Sequence, residues 1–339
     1  MNKNVELQPG LGEKNMSAFR TSIKDIAKIA GVTDTTVSRA FTSPEKVKKE
    51  TREKILKIAT ELNYTPSLPA RSMRSSSSKI IGLIADDIFN PVYSYIIKEL
   101  NIISEKNGYS IMVFNTNGCL YTEERAINTL LSHNAAGVII APINDNLSRR
   151  KYLDRLIESN IEIIQFDRQF SEKLPGVFID SNHAGKLAGS QAIGDTLIVG
   201  GPRDSEITRQ RIDGILHNLP KNTKPTIIYS DYHFNNACEI LKNFRESNEI
   251  NFDCIISVTG LISLAILSVL HKKQKATRLI SIDEIPLSEI YGLEYIYINH
   301  DYKEWAHLVA ENLFNLLNKS GGSFRFFIKG KLNNNISIV

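Results

Sequence analysis

Short apolar runs alternate with amphipathic stretches through most of this 339-residue chain, but not through its beginning. From Lys79 onward KIIGLIA, SIMVFN, AGVIIAP, IEIIQFD, VFID, TLIVGGP, TIIY, CIISV and RLISID recur, separated by segments of helical length. They are rich in β-branched residues and lack clean apolar/polar alternation, as strands covered on both faces by helices must be, so the pattern predicts a parallel α/β fold. Before them the period is helical. Ile23, Ile26, Ala27 and Ala30 share one face, and Ser22 with Asp25 forms a capping box. Gly31 interrupts, and Thr33 is placed to cap a short second helix, TDTTVSRAF, with Val37 and Ala40 turned inward. A third helix is predicted over Lys48–Leu62 from Ile55, Ile58, Ala59 and Leu62. The first two make a helix-turn-helix.

Length and charge sharpen this division. A chain of 339 residues exceeds one ordinary compact domain, so a large and a small unit are expected. Residues 21–79 carry 12 Lys and Arg against 6 Asp and Glu, leaving 29 against 31 elsewhere. The positive charge sits at one end, as suits a small module that meets phosphates beside a body that does not. Residues 1–20 are polar and aperiodic and are expected to be a flexible extension, while SLPARSMRSSSSK after Pro66 reads as a linker with one short helix.

Composition also excludes function classes. No run of about eighteen uncharged apolar residues occurs, and the first twenty residues lack a secretory core, so neither a membrane span nor export is expected. Cys119, Cys238 and Cys254 are far apart without CxxC spacing; no disulfide framework, metal site or cofactor is indicated, and a reducing cytoplasm is expected. GxSxG, GxxxxGK[ST], HExxH and GxGxxG are all missing and the seven histidines are scattered, which argues against an enzyme. In a parallel sheet of this kind, ligand contacts are expected in the loops beyond the carboxyl ends of the strands.

The segments TSIKDIAKIAGVTDTTVSRAF and VKKETREKILKIATELNYTPSLPARSMRSSSSKIIGLI resemble the N-terminal signature of the lactose/galactose repressor (LacI/GalR) family. Weaker similarity continues through GVIIAP, FDR, VFIDSNHAG, GPRDSEITRQRIDG and LISIDE. The resemblance implies an all-α helix-turn-helix headpiece followed by a two-lobed α/β effector domain like the type I periplasmic binding proteins. It implies a sequence-specific transcription regulator, a homodimer on double-stranded operator DNA, controlled by a sugar-like small molecule held between lobes. The expected boundaries are 21–66 for the headpiece, 67–79 for the hinge, 80–180 with 300–320 for the first lobe, and 181–299 with 321–339 for the second. The lobes are thus expected to be joined by crossovers near Asp180, Asn299 and Ser320. A solute-binding protein of a transporter shares the two lobes, but the basic headpiece and the lack of an export signal oppose that reading.

Carried over by motif, Asp34, Thr35 and Arg39 take positions that read base edges in the major groove, Arg39 suiting a guanine. Asp34 reads equally well as a helix N-terminal acid. Thr21, Thr33, Thr36, Ser38, Lys48 and Thr51 fall where hydroxyls, an ammonium and helix-end amides hold phosphates. Ala70 and Met73 fall in the family's minor-groove hinge helix, Met73 at its wedge, where leucine is commoner. In the body the resemblance points to Arg168, Arg211 and Asp283 as polar cleft residues, with Phe89 and Tyr232 as stacking surfaces; an ion pair or a core aromatic is the plainer reading of each. Two departures stand out. Thr259-Gly260 replaces the family's usual Asn-Asp pair, and LAGSQAIGDTLIVGGP is short, lacking a glycine-histidine turn, which predicts a trimmed second lobe or an unusual effector.

Overall fold

The computed structural model describes residues 21–64, 78–143, 150–248, 251–270, 277–290, 292–321 and 324–335. The chain divides into two compact units between residues 75 and 76. The extension over residues 1–20 and the hinge positions Ala70 and Met73 lie outside the described residues.

The first unit contains helices α1 (Ile23–Ala30), α2 (Asp34–Thr42) and α3 (Lys49–Glu61). Both halves of the capping box form: the Ser22 hydroxyl accepts from the Asp25 amide, and Asp25 accepts the Ser22 amide at 2.8 Å. Gly31 ends α1 at φ +71°, a left-handed conformation that costs a glycine little. Lys54 donates to the Ala30 carbonyl at 3.0 Å, tying α3 to the open end of α1. Ile26, Ala27, Ala30, Val37, Ala40, Ile55, Ile58 and Ala59 form the core, the apolar positions the helical period selected. With so small a core, the cap weighs heavily. Ser22→Ala is expected to lower the opening free energy of α1 by about 1 kcal/mol, read from native-state amide exchange of the full chain. No change in α1 protection would mean that the cap is dispensable.

The second unit continues as β1 (Ile80–Ala85), α4 (Pro91–Lys106), β2 (Ser110–Asn115), α5 (Leu120–Ser132), β3 (Gly137–Ile140), α6 (Lys151–Ile157), β4 (Glu162–Phe166) and β5 (Gly176–Ile179). Then follow α7 (Ser181–Gly189), β6 (Asp195–Gly200), α8 (Glu206–His217), β7 (Lys224–Tyr229), α9 (Phe234–Ser247), β8 (Cys254–Ser257), α10 (Gly260–Leu270), β9 (Arg278–Ile282) and β10 (Tyr295–Asn299). The described chain closes with α11 (Tyr302–Leu317), β11 (Arg325–Ile328) and β12 (Lys331–Asn335). Two six-stranded sheets result, ordered β11-β5-β4-β3-β1-β2 and β12-β10-β9-β8-β6-β7. The strand pairs are parallel except β10 with β12. Among the described residues no helix is long and apolar enough to cross a membrane.

The chain passes from the first sheet to the second at Asp180, between β5 and α7, and returns between Asn299 and Tyr302. The third crossing differs from the expectation near Ser320. Strand β11 pairs with β5, so it belongs to the first sheet, and the chain crosses only at Lys329–Gly330. The polar Ser320-Gly321 break is merely the turn after α11, whose Trp305, Ala306, Val309, Ala310 and Leu313 sit in the core of the first lobe. At the true crossing there is no room for a side chain: a Cβ on Gly330 would lie 2.4 Å from Ile298 and 2.8 Å from His300 Nε2. Nor is the second lobe trimmed. Despite the short segment, β6 is a six-residue strand inside its sheet, paired between β8 and β7 and entered through Gly194 at φ +52°.

Helices α7 and α8 pack backbone to backbone. A Cβ on Gly185 would meet the Arg211 carbonyl oxygen at 2.2 Å, one on Gly189 the Ile215 oxygen at 2.3 Å, and one on Gly214 the Asn182 oxygen at 2.3 Å. This contact sets the position of Arg211.

Candidate functional site

In the first unit, Thr33 caps α2 by accepting the Thr36 amide at 3.2 Å, and its hydroxyl lies 2.9 Å from that of Thr36. Thr35 and Arg39 are exposed on the face of α2 opposite Val37 and Ala40, Asp34 is exposed at its first turn, and Lys48 is exposed just before α3. Thr36, Ser38 and Thr51 are half-buried. The Thr21 hydroxyl is committed internally, donating to the Leu62 carbonyl at 3.1 Å. Asp34, as the first residue of α2, also complements the helix dipole.

In the second unit, the strand carboxyl ends of both sheets face one cleft, with a cavity of about 50 Å³. Asp86 arrives from the end of β1, Asp167 and Arg168 from β4, Tyr232 from β7, Thr259 from β8 and Asp283 from β9. Arg211 enters from α8, Tyr93 from α4 and Trp305 from α11. Three of the four body residues named from sequence beside Asp283 are therefore brought together with it: Arg168, Arg211 and Tyr232. Phe89 is not, being 67% exposed and absent from the lining.

The cleft contains two buried ionic clusters. On the first lobe Arg168 pairs with Asp86 at 2.8 Å, and the Tyr93 hydroxyl donates to Asp167 at 2.5 Å. On the second, Arg211 donates to the Val258 carbonyl and lies 3.3 Å from Asp283 Oδ2. His300 Nδ1 approaches Asp283 Oδ1 at 2.8 Å, and the Tyr302 hydroxyl donates to the same oxygen at 3.3 Å. Asp283 holds φ at +71°, an uncommon conformation that aspartate tolerates better than most residues. Burial pushes the Asp283 pKa up, but Arg211 and His300 outweigh it and hold the carboxyl below its ordinary value. Burial lowers the Arg168 pKa, yet Tyr93, Asp86 and Asp167 more than reverse this. Burial, and then Asp167, raise the Tyr93 hydroxyl well above the usual phenol range. The cleft thus favours the charged forms of Arg168 and Asp283.

The Nε–H groups of Arg168 and Arg211 are buried without a hydrogen-bond partner among the described residues. Such donors are costly to leave unmet, and two from opposite lobes make the cleft a place for a ligand rich in acceptors. Beside them lie Ile179, Val92, Ile207, Leu261 and the Trp305 ring, which give an apolar wall.

Thr259-Gly260 has a local cause. The Thr259 hydroxyl accepts the Ile262 amide at 3.2 Å at the start of α10, and a Cβ on Gly260 would fall 2.0 Å from the Glu284 carbonyl oxygen. No acidic side chain fits at position 260. Sequence reasoning missed Asp86, Tyr93, Asp167, Thr259 as a lining residue, and Trp305. Asp86 carried a usable signal, since it directly follows the run KIIGLIA.

Comparison with known proteins agrees with this architecture. Residues 22–67 match the model of bacterial regulatory proteins of the lacI family, and residues 78–285 match that of periplasmic binding proteins and sugar binding domain of the LacI family. The ribose operon repressor of Lactococcus lactis is 29% identical over 281 residues, covering 79% of this chain and 83% of that protein. The ribose operon repressor of Halalkalibacterium halodurans is 26% identical over 282 residues, 80% and 82% of the two chains. The crystal structure of the Lac repressor dimer bound to operator and the anti-inducer ONPF superposes with TM-score 0.74 at 17% identity, covering 94% of this chain and 99% of that one. These relatives are regulators rather than enzymes, and the chain itself belongs to the LacI family of bacterial transcriptional regulators, a helix-turn-helix headpiece followed by a two-lobed effector domain.

Proposed function

We propose that the chain is a cytoplasmic repressor, acting as a homodimer on a near-palindromic operator, whose DNA affinity is set by a small neutral polyhydroxy compound in the cleft. The observation that carries the effector reading is the pair of buried guanidiniums with unmet Nε–H groups, Arg168 and Arg211. The lining's charge decides the ligand class. Asp86, Asp87, Asp167 and Asp283 outnumber Arg168 and Arg211, so a phosphorylated or acidic ligand is repelled while hydroxyls find both donors and acceptors. Relatives named ribose operon repressors support a sugar. Arg168, Arg211 and Asp283 hold its hydroxyls and Tyr232 closes over it from the second lobe; Phe89 is left to solvent. Calorimetry with neutral pentoses and hexoses beside their phosphates and acids tests this, and preference for a charged member would sink it.

On the DNA side, Arg39 reads a base, Asp34 and Thr35 flank it, and Thr36, Ser38, Lys48 and Thr51 hold phosphates with the helix-end amides. Thr21 and Thr33 keep their hydroxyls for the fold. Ala70 and Met73 act in the minor groove as hinge and wedge. Lobe closure shifts the spacing of the paired hinges, a coupling of typically about 1–3 kcal/mol. Selection from random duplexes at two salt concentrations should recover a near-palindrome. Arg39→Ala should cost about 1–3 kcal/mol at one base position and relax preference there, with effector binding unchanged. A loss spread evenly over all sequences would instead make Arg39 a phosphate contact.

A further inference from the structure

Next to the effector cavity lies a second one of about 160 Å³, sharing Asp86, Arg168 and Tyr232 with it. Its walls come from both lobes: Gly118 and Ile143 from the first, Pro202, Asp204, Ser205, Asp231 and His233 from the second. Across it His233 Nε2 stands 4.0 Å from Asp86 Oδ1, buried and without a hydrogen-bond partner among the described residues. We propose that His233 is a lobe-latching residue, whose imidazolium engages Asp86 of the opposite lobe as the cleft closes and so sets how readily the cleft stays shut.

The geometry restricts what this side chain can do. Its Nδ1 is bound to Asp231 Oδ1 at 2.7 Å, and the same oxygen accepts the His233 amide at 2.7 Å, so the ring is held and Nε2 is left facing Asp86. The neighbouring Tyr232 is fixed by hydrogen bonds of 2.7 Å to Ser205 and Thr208, and Gly201 leaves room for its ring, which lies 5.5 Å from the Arg168 guanidinium. On the other side, Asp86 Oδ2 is paired with Arg168 while Oδ1 accepts only the Gly118 amide, at 2.7 Å, among its described bonds. A carboxylate oxygen takes two donors, so one place is open, and the lobes need to approach by only about 1 Å to fill it. Gly118, at φ +68°, has no side chain to intervene between the two.

Charges around the ring favour its protonation. Asp231 supplies the largest effect through its hydrogen bond, and Asp86 and Asp87 add to it from the first lobe. Burial opposes, as does the position of His233 at the start of α9, where the helix dipole disfavours a cation. Arg168 competes for Asp86, and Asp204 and the Tyr232 hydroxyl complete the polar surroundings. The balance raises the His233 pKa above its ordinary value. Opening the lobes removes the contribution of Asp86, so the proton binds more tightly in the closed form. Closure is therefore favoured below the raised pKa and weakened as pH rises through it.

This inference rests on the reading of the cleft as the effector site, and its test is run without effector so that the two fail separately. The full chain is followed by small-angle scattering and by the emission of Trp305, the chain's one tryptophan, which lines the cleft, from about pH 5.5 to 8.5. The wild type should become more compact on acidification, with the same midpoint in both signals. His233→Gln should lose that step and stay at the high-pH radius. His233→Lys, a cation throughout this range, should stay at the compact radius at every pH. His217→Gln, on an exposed residue of α8, should behave as the wild type. A wild-type radius that ignores pH, or a step that survives in His233→Gln, overturns the proposal.

Discussion

Gly185→Ala is expected to destabilise the effector unit by about 3 kcal/mol and to abolish its response to effector, with the DNA-reading helices left intact. The added methyl group would lie 2.2 Å from the Arg211 carbonyl oxygen and 3.0 Å from its carbonyl carbon. Both obstacles are backbone in the middle of α8, so no rotamer change relieves them and the two helices must separate. Overpacking of this kind costs typically about 1–3 kcal/mol, and the backbone contact puts this case at the upper end. At about 2–4 °C per kcal/mol for a unit of this size, the melting point should fall by roughly 6–12 °C, followed through Trp305 emission. The functional loss follows from the same displacement, since Arg211 rides on the helix that is pushed away. Gly321→Ala is the control: among the described residues nothing lies within 4 Å of its Cβ position, and the change should stay within about 0.5 kcal/mol. If Gly185→Ala melted with the wild type, α7 and α8 would be free to slide and the fixed placement of Arg211 would be an illusion.

The same helix pair shows where sequence reasoning stops. Periodicity reaches elements: the headpiece core from Ile26 to Ala59, the capping box at Ser22 and the apolar runs that became strands were legible because burial imposes a period on the residues themselves. Motif resemblance reached Arg168, Arg211, Tyr232 and Asp283, which the fold gathers from β4, α8, β7 and β9. What stayed hidden depends on neighbours distant in sequence. Gly185 is an ordinary helical glycine until Arg211 is packed against it, and Trp305 is an ordinary core aromatic until α11 returns to the first lobe. The third crossover is hidden from the sequence for a related reason. A strand of four residues between polar breaks carries no mark of which sheet it joins, and pairing with β5 is a long-range choice. At Phe89 a large aromatic after a strand end suggests stacking, whereas in the structure its side chain is exposed. At position 260 the local sequence looked like a loss of chemistry, and the contact with Glu284 shows that the backbone requires it.

Asp283→Asn should cost the effector unit about 3–5 kcal/mol, the penalty for leaving the buried Arg211 charge without its partner. Asparagine is the informative replacement, because it tolerates the positive φ of this position and keeps an acceptor for the Tyr302 hydroxyl. Alanine would add backbone strain to the loss of charge and blur the two. Three groups converge on this carboxylate, Arg211, His300 and Tyr302, so its removal disturbs both the cleft and the segment where the chain returns to the first lobe. The double variant Arg211→Met with Asp283→Asn should be more stable than Asp283→Asn alone, since the stranded charge goes with the arginine. A pH series separates the electrostatic part. The Asp283 pKa is lowered in the folded chain, so its contribution is complete above the unfolded value near about 3.9 and is lost as pH falls through the folded one. Urea midpoints of the wild type should therefore fall more steeply below about pH 4 than those of Asp283→Asn. Equal slopes, or a double variant weaker than the single, would mean that the Arg211–Asp283 contact contributes shape to the cleft and no net charge stabilisation.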